Sequence, residues 1–457
     1  MSKNNLQKRG AFVSRIGFIF AAAGSAIGLG NIWRFPYIAG ENGGAAFILI
    51  YLVCIALIGL PVMLAAFSIG RNTKKSAITA YKKLSPDKPW FIGGVSGVVA
   101  AIFTMSFYSI VAGWTFSYIF KSIFANLTVM SPDQLGNLFV SHISGVWSPI
   151  FWHLAVIVIS CLILFGGVKE GIEKWSKILM PALFILLVVL VARGLTLEGS
   201  WEGIKFLLYP DFTKITVETI VMAFGQAFFS LSLGMGTMIT YASYVSKSEN
   251  LPKTALMVTA MDTGIALLAG FAIFPAVFAL GFEPTGGSSL VFSVLPAVFG
   301  QMPLGSFFST LFFLLLGIAA LTSAISIMEV IIAYFVDEHH WGRKKSVILT
   351  GIALFLAGLP SALSMNVLKD YTWFGKTFFD LMDYMASNIL LPFGGLVIAL
   401  FVGYQWGVDK SIDELSNGGT VKSSLFKTYG FIIKYVAPAL ILLVFLNAIG
   451  ILNMLWK

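Results

Sequence analysis

Eleven runs of about 20 mostly apolar residues divide this chain, and nothing else constrains its fold as strongly. They cover approximately residues 12–36, 41–70, 91–121, 149–166, 172–193, 214–246, 254–281, 304–336, 346–362, 377–406 and 429–454. A helix of about 20 such residues crosses a bilayer, and the segments between the runs are too short for a sizeable soluble domain. With 58% hydrophobic and 11% charged residues and a mean hydropathy of +0.88, an ordinary soluble globule is excluded. The expected architecture is an all-α polytopic membrane protein, a single transmembrane domain over residues 1–457.

The formal charge of +9 raises nucleic acid as a partner, and its distribution argues against one. With a cytoplasmic N-terminus, inside segments hold 21 of the 30 Lys and Arg and outside segments hold 7; Arg34 and Lys434 fall within or at the edge of runs. Arg71, Lys74, Lys75, Lys82, Lys83 and Lys88 crowd one loop. This positive-inside asymmetry places the C-terminus outside and makes the basic excess topological, in a protein of the cytoplasmic (inner) membrane surrounded by lipid. Cys54 and Cys161 sit in apolar runs and are expected as small packing residues with no disulfide. His142, His153, His339 and His340 lack metal-site spacing and are expected to be solvated or interfacial. Neither a nucleophile elbow nor a phosphate-binding loop is present, which weighs against an enzyme.

Within the first run, Gly24-Ser25-Ala26-Ile27-Gly28-Leu29-Gly30-Asn31 packs three glycines and an amide into eight residues. Each Gly costs about 1 kcal/mol of helix propensity relative to Ala. Gly24 and Gly28 also fit a close helix contact, and Ala21-Ala22-Ala23 imitates a signal-cleavage site, although Arg15 interrupts the apolar region such a signal needs. A deliberate helix break accounts for the whole pattern, because freed backbone groups inside a membrane must line a cavity or a ligand. The sixth run repeats the oddity at Gln226-Ala227-Phe228-Phe229-Ser230-Leu231-Ser232-Leu233-Gly234-Met235-Gly236-Thr237. Two Gly-interrupted helices five apart point to a transporter of two five-helix repeats, about 12–193 and 214–406, with an extra helix at about 429–454. Five is odd, so the second repeat is inverted. Asp262 lies mid-run, where a charge costs about 2.5–3.5 kcal/mol unless paired or facing water. Thr322 and Ser323 lie in the eighth run, Gly171 and Pro181 mark a helix end able to loosen, and Glu41-Asn42-Gly43-Gly44 reads as the opening turn of the second run.

The run Gly24 to Tyr37 followed by Glu41-Asn42-Gly43-Gly44, with Gln226 to Ser232 and Thr240-Tyr241-Ala242-Ser243-Tyr244, resembles the signatures of the neurotransmitter:sodium symporters, and eleven spans resemble their bacterial branch. The resemblance implies the LeuT-like fold, with discontinuous helices 1 and 6 and two sodium sites beside one amino-acid site. The first sodium would take the Ala26 carbonyl, the Asn31 amide oxygen, Ser230 and Asp262. The second would take the Gly24, Ile27 and Ala319 carbonyls and the Thr322 and Ser323 hydroxyls. The substrate carboxylate would meet the Leu29 and Gly30 amides and the Tyr108 hydroxyl; its ammonium would meet the Ala26, Phe229 and Ser230 carbonyls, with Ser232 nearby. Thr104, Phe229, Met235, Ser323, Ala324 and Ile327 would form a side-chain pocket roomy enough for bulky apolar amino acids. Outside, Arg34 would face Asp383 beneath a cover of Phe229 and Tyr108; inside, Arg9 would reach Asp337, with Tyr244 and Phe12 in support. Gly171 and Pro181 match a motif that lets the fifth helix unwind toward the second sodium.

Two departures from the family pattern stand out. Chloride-dependent members carry Asn where this chain has Asp262 and Ser where it has Ala266, so a fixed carboxylate replaces chloride and no obligatory chloride is expected. At Ala66 the family usually carries a Glu that supports the unwound sixth helix. The function implied is sodium-coupled symport of neutral hydrophobic L-amino acids, aromatic ones included, by alternating access. The rival reading is an ion channel or a non-transporting membrane amino-acid sensor.

Overall fold

A computed structural model describes residues 10–125, 127–284, 290–423 and 425–451. Among the described residues nine helices are long and apolar enough to cross a membrane: Ala45–Thr73, Phe91–Phe124, Trp147–Phe165, Gly167–Leu195, Leu251–Ala279, Gly305–Glu338, Arg343–Leu363, Phe378–Trp406 and Leu425–Ala448. These are the second to fifth and seventh to eleventh spans. The first span is Arg15–Ala26 and Gly30–Glu41, bent by 45° at a break. The sixth falls into two short helices, Val217–Ser230 and Thr237–Ser243.

Both breaks have local causes. Ser14 caps the first helix by accepting the Gly17 N–H at 3.0 Å, and the helix stops where Ile27 turns extended, at φ −76° and ψ 104°. Asn31 then restarts it through its N–H to the Gly28 carbonyl, at 3.1 Å. In the sixth span Ser232, Gly234 and Gly236 take φ of 50°, 81° and 84°, outside the right-handed helical region. Gly234 is obligatory for a second reason, since a Cβ there would strike the Leu391 carbonyl.

Packing places the breaks at the centre. The first span lies against the fifth, seventh and eighth, and the sixth lies against the second and tenth. The third and eighth spans are the most enclosed, with 72% and 78% of their apolar windows buried, against 33% for the fifth and eleventh, which face outward.

Two expectations are corrected. Glu41 closes the first span rather than opening the second, which begins at Ala45 after Gly43 and Gly44 turn the chain at φ 85° and 58°. His142 and His153 are buried, not solvated. His153 lies flat on the Phe355 ring at 5.2 Å with Nε2 3.0 Å from the Phe355 carbonyl, so stacking and one hydrogen bond replace water.

Beyond the spans, Arg71 is buried at 1% exposure against Glu414. Its Nε lies 2.6 Å from Glu414 Oε1, while Lys247 Nζ and Asn72 Nδ2 reach Oε2 at 2.6 and 2.9 Å. Burial acts to raise the Glu414 carboxyl, but the hydrogen bonds from Lys247, Asn72 and Arg71 hold it below the ordinary value. A lowered folded-state pKa stabilises above the unfolded value, and that contribution disappears as pH falls through the folded one. Glu414→Gln is expected to cost about 3–5 kcal/mol by stranding Arg71, read by denaturant unfolding in micelles. The wild-type advantage over the variant should shrink on acidification below the carboxylate range.

Candidate binding site at the two helix breaks

Asp262 is fully buried at 0% exposure, in the middle of the seventh span. Ser230, the last helical residue before the break in the sixth span, donates to its Oδ1 and Oδ2 at 2.8 and 2.9 Å. Asn31, just after the break in the first span, donates Nδ2 to Asp262 Oδ1 at 2.8 Å, to the Asp262 carbonyl at 3.0 Å and to Ser230 Oγ at 3.0 Å. Three of the four residues proposed for the first sodium are thus in mutual contact. The Asn31 carboxamide is turned opposite to the expected ligand set. Its oxygen accepts the Gly28 N–H at 3.0 Å, because the broken turn needs an acceptor and the carboxylate draws the N–H₂.

Across the break the first and eighth spans meet. Ser323 Oγ lies 3.3, 3.2 and 3.4 Å from the Gly24, Ser25 and Ile27 carbonyls. Thr322 instead back-bonds to its own helix, at 3.0 Å to the Ala319 carbonyl. Gly24 is the close-contact glycine, since a Cβ would sit 3.3 Å from Thr322 Cβ. The five residues expected at the second sodium therefore share one seam.

Between these polar clusters lies a cavity lined by Ser25, Ala26, Gly28, Gly30, Thr104, Tyr108, Phe229, Ser232, Met235, Ser323 and Ile327. Its volume, about 10 Å³, is that of a single water. Tyr108 Oη accepts the Leu29 N–H at 3.3 Å, and a Cβ on Gly28 would lie 2.9 Å from that oxygen. Ser232 Oγ joins the breaks by donating to the Ser25 carbonyl at 2.9 Å. Thr104 Oγ1 and Ser25 Oγ are buried without a hydrogen-bond partner among the described residues. Ala324 is buried but does not line the cavity, and Leu29 contributes only its backbone.

On one side Phe229 roofs the cavity, stacked with Phe107 at 6.4 Å. Arg34 sits 4.8 Å over its ring. No ion pair joins Arg34 to Asp383 among the described residues: Arg34 Nη1 donates to Gln226 Oε1 at 3.3 Å, and Asp383 accepts from Ser387 at 2.8 Å. On the other side Phe12 packs edge-on against Tyr244 at 6.2 Å, and its N–H donates to the Tyr244 carbonyl at 3.1 Å. Asp337 accepts the Ser76 N–H at 2.6 Å, while Arg9 lies outside the described residues. Gly171 occupies a π-helical turn, Gly167–Glu173, that runs unbroken into the helix containing Pro181.

Several residues at the site were not anticipated. Tyr51 Oη lies 3.4 Å from Asp262 Oδ2. Gln226 Nε2 donates to the Gly30 carbonyl at 2.6 Å, so one side chain ties the sixth span to the first and to Arg34. Glu173 accepts the Val13 N–H, Ser14 N–H and Ser14 hydroxyl at 2.7, 3.2 and 2.8 Å, fastening the start of the first span to the fifth. Glu329 pairs with Arg343 at 2.7 Å and accepts the Tyr244 hydroxyl at 2.7 Å. The signal that singled out Asp262, an acid inside an apolar run, also marks Glu329. Ala66 is buried on the second-span face between Gly59, which packs on Leu231, and Gly70, which packs on Ile239. It offers no acceptor to the break it faces, and among the described residues the Gly234, Met235 and Gly236 N–H groups make no hydrogen bond.

Two interrupted helices meeting around a small shared cavity within a bundle of apolar helices define a transporter of two inverted repeats. The chain belongs to the Sodium:neurotransmitter symporter family, which it matches over residues 9–137 and 138–455. It is 44% identical over 447 residues to an uncharacterized sodium-dependent transporter, YhdH, of Bacillus subtilis, covering 98% of this chain and 99% of that one. The crystal structure of MhsT in complex with L-phenylalanine superposes with a TM-score of 0.90 at 46% identity, covering 96% of this chain and all of that one. The sodium- and chloride-dependent taurine transporter of Bos taurus is 28% identical over 463 residues, 90% of this chain and 73% of that protein.

Removing the Gln226 amide takes one of the two donors from the Gly30 carbonyl, leaving the Phe35 N–H, and removes the side-chain acceptor of buried Arg34. Gln226→Leu is therefore expected to cost about 1–3 kcal/mol, seen as a lower unfolding temperature in micelles.

Proposed function

We propose that the protein couples the sodium gradient to uptake of neutral hydrophobic L-amino acids, aromatic ones included, by alternating access. The observation that carries this reading is Asp262. It is a fully buried carboxylate whose donors, Asn31, Ser230 and Tyr51, are all neutral. An uncompensated charge at that depth is costly, and a hard cation with oxygen ligands is the compensation the site invites. Two of those donors come from the two broken helices, so a sodium there stiffens both walls of the substrate cavity and favours substrate binding, and the reverse follows by linkage. A second sodium sits at the seam of Gly24, Ile27, Ala319, Thr322 and Ser323.

The amino-acid assignment is supported by the likeness to MhsT, whose structure holds L-phenylalanine. The substrate carboxylate meets the Leu29 and Gly30 amides and Tyr108, displacing the hydroxyl now held by Leu29. Its ammonium meets the Ala26, Phe229 and Ser230 carbonyls near Ser232. Its side chain occupies the pocket formed by Thr104, Phe229, Met235, Ser323, Ala324 and Ile327. Arg34 and Asp383 close the outer face, Phe12 and Tyr244 with Arg9 and Asp337 the inner one, and the Gly171–Pro181 segment loosens to release sodium. The N-terminus is cytoplasmic and the C-terminus extracellular, in the inner membrane. Because Asp262 supplies a fixed negative charge, chloride is dispensable, unlike in the chloride-dependent bovine relative.

In proteoliposomes, labelled tryptophan and leucine should accumulate under an inward sodium gradient and not under potassium, with glycine a poor competitor. Asp262→Asn should raise the sodium concentration for half-maximal uptake about tenfold or more. Equal uptake in potassium, or glycine outcompeting tryptophan, sinks the reading. Replacing chloride by gluconate should leave the initial rate unchanged; a collapse of uptake would show that Asp262 does not substitute for the anion.

A further inference from the structure

Away from the substrate site, two cavities adjoin where the fourth span ends. One, of about 660 Å³, lies between the fourth-to-fifth turn and the start of the ninth span and is bordered by Lys169, Arg343, Lys344 and Lys345. The other, of about 290 Å³, is an apolar groove between the fourth and ninth spans, running past Leu154, Ile157 and Cys161 on one wall and Ile348, Ile352 and Phe355 on the other. Phe165 lines both, so the groove and the basic cavity adjoin at that ring. The groove's floor depends on Gly351, where a Cβ would stand 2.7 Å from Cys161 Sγ.

Two of the four cations are already engaged. Arg343 grips Glu329 at 3.0 and 2.7 Å and donates Nε to the Leu164 carbonyl at 2.9 Å. Lys169 lies 3.4 Å from Glu170. Lys344 and Lys345 are exposed and have no carboxylate partner among the described residues. Lys345 Nζ lies 4.5 Å over Trp341, which stacks on Phe335 at 4.7 Å. A Trp beside unpaired lysines at the end of an apolar span is the residue pattern of headgroup depth. Two lysines with no carboxylate partner among the described residues, beside an apolar groove between two spans, match one kind of molecule.

We infer that this is a binding site for an anionic phospholipid, with its phosphate against Lys344 and Lys345 and one acyl chain in the groove between the fourth and ninth spans. That the lipid belongs to the cytoplasmic leaflet rests on the orientation proposed above. The headgroup would border Tyr244 and Arg343, which meet at Glu329. Anionic lipid is therefore positioned to strengthen the contacts that close this end of the molecule.

The test is lipid retention by the full-length protein, measured by native mass spectrometry after reconstitution in nanodiscs of phosphatidylcholine with or without phosphatidylglycerol. Phosphatidylglycerol should be retained in preference to phosphatidylcholine. K344Q/K345Q should weaken that retention roughly tenfold, and Ile352→Trp, which fills the groove, should abolish it. On the unmodified chain, phosphatidylglycerol should also slow maleimide labelling of Cys161, a readout independent of how the variants fold. Equal retention of the two lipids, indifference to both variants, or unchanged Cys161 labelling overturns the inference. Displacement of the lipid by inorganic phosphate, undiminished in Ile352→Trp, overturns it in favour of a free-anion site. Retention is measured without uptake, so its failure leaves the transport reading standing, and loss of transport leaves the lipid result standing.

Discussion

Main-chain groups released inside a bilayer have no water to turn to, and this architecture exists to satisfy them. The sixth span meets part of the first span's need. Ser232 donates to the Ser25 carbonyl across the gap, and Gln226 donates to Gly30. The eighth span does the same from a third direction, with Ser323 held within reach of three first-span carbonyls. The groups that stabilise the cavity are thus among those proposed above to engage a cation or zwitterion. Binding exchanges partners rather than creating polar surface, which keeps the cost of each exchange small.

The same economy governs the electrostatics. Asp262 is surrounded by neutral donors, whereas three other buried acids among the described residues have cationic partners: Glu329 with Arg343, Glu414 with Arg71 and Lys247, Glu173 with Lys177. Those three acids are neutralised by side chains, and the acid beside the broken helices is not. That contrast separates a residue that holds the fold from one suited to a mobile charge. Ala66 works in the opposite sense, removing an acceptor beside the sixth-span break and leaving its amides with fewer protein partners.

The two ends of the molecule are closed by different means. One is roofed by aromatic rings, with Arg34 over Phe229 and held by Gln226. The other is latched through the first residues before the first span, where Glu173 gathers Val13 and Ser14 and Tyr244 takes Phe12. Rings slide apart with little loss of hydrogen bonding, whereas the latch requires several bonds to part together.

The sequence by itself determined the membrane class, the span order and both helix breaks. Those properties follow from hydropathy over about 20 residues and from local backbone preference, which neighbours in sequence control. It misplaced the end of the first span, because Gly43 and Gly44 turn the chain after Glu41. It also misplaced His142 and His153, because burial depends on which helix lies opposite. Only the tertiary structure decided which donors reach Asp262, which way the Asn31 amide faces, and that Gln226 rather than Asp383 holds Arg34. Each of those is a contact between spans far apart in the chain, fixed by how the helices cross rather than by any local pattern.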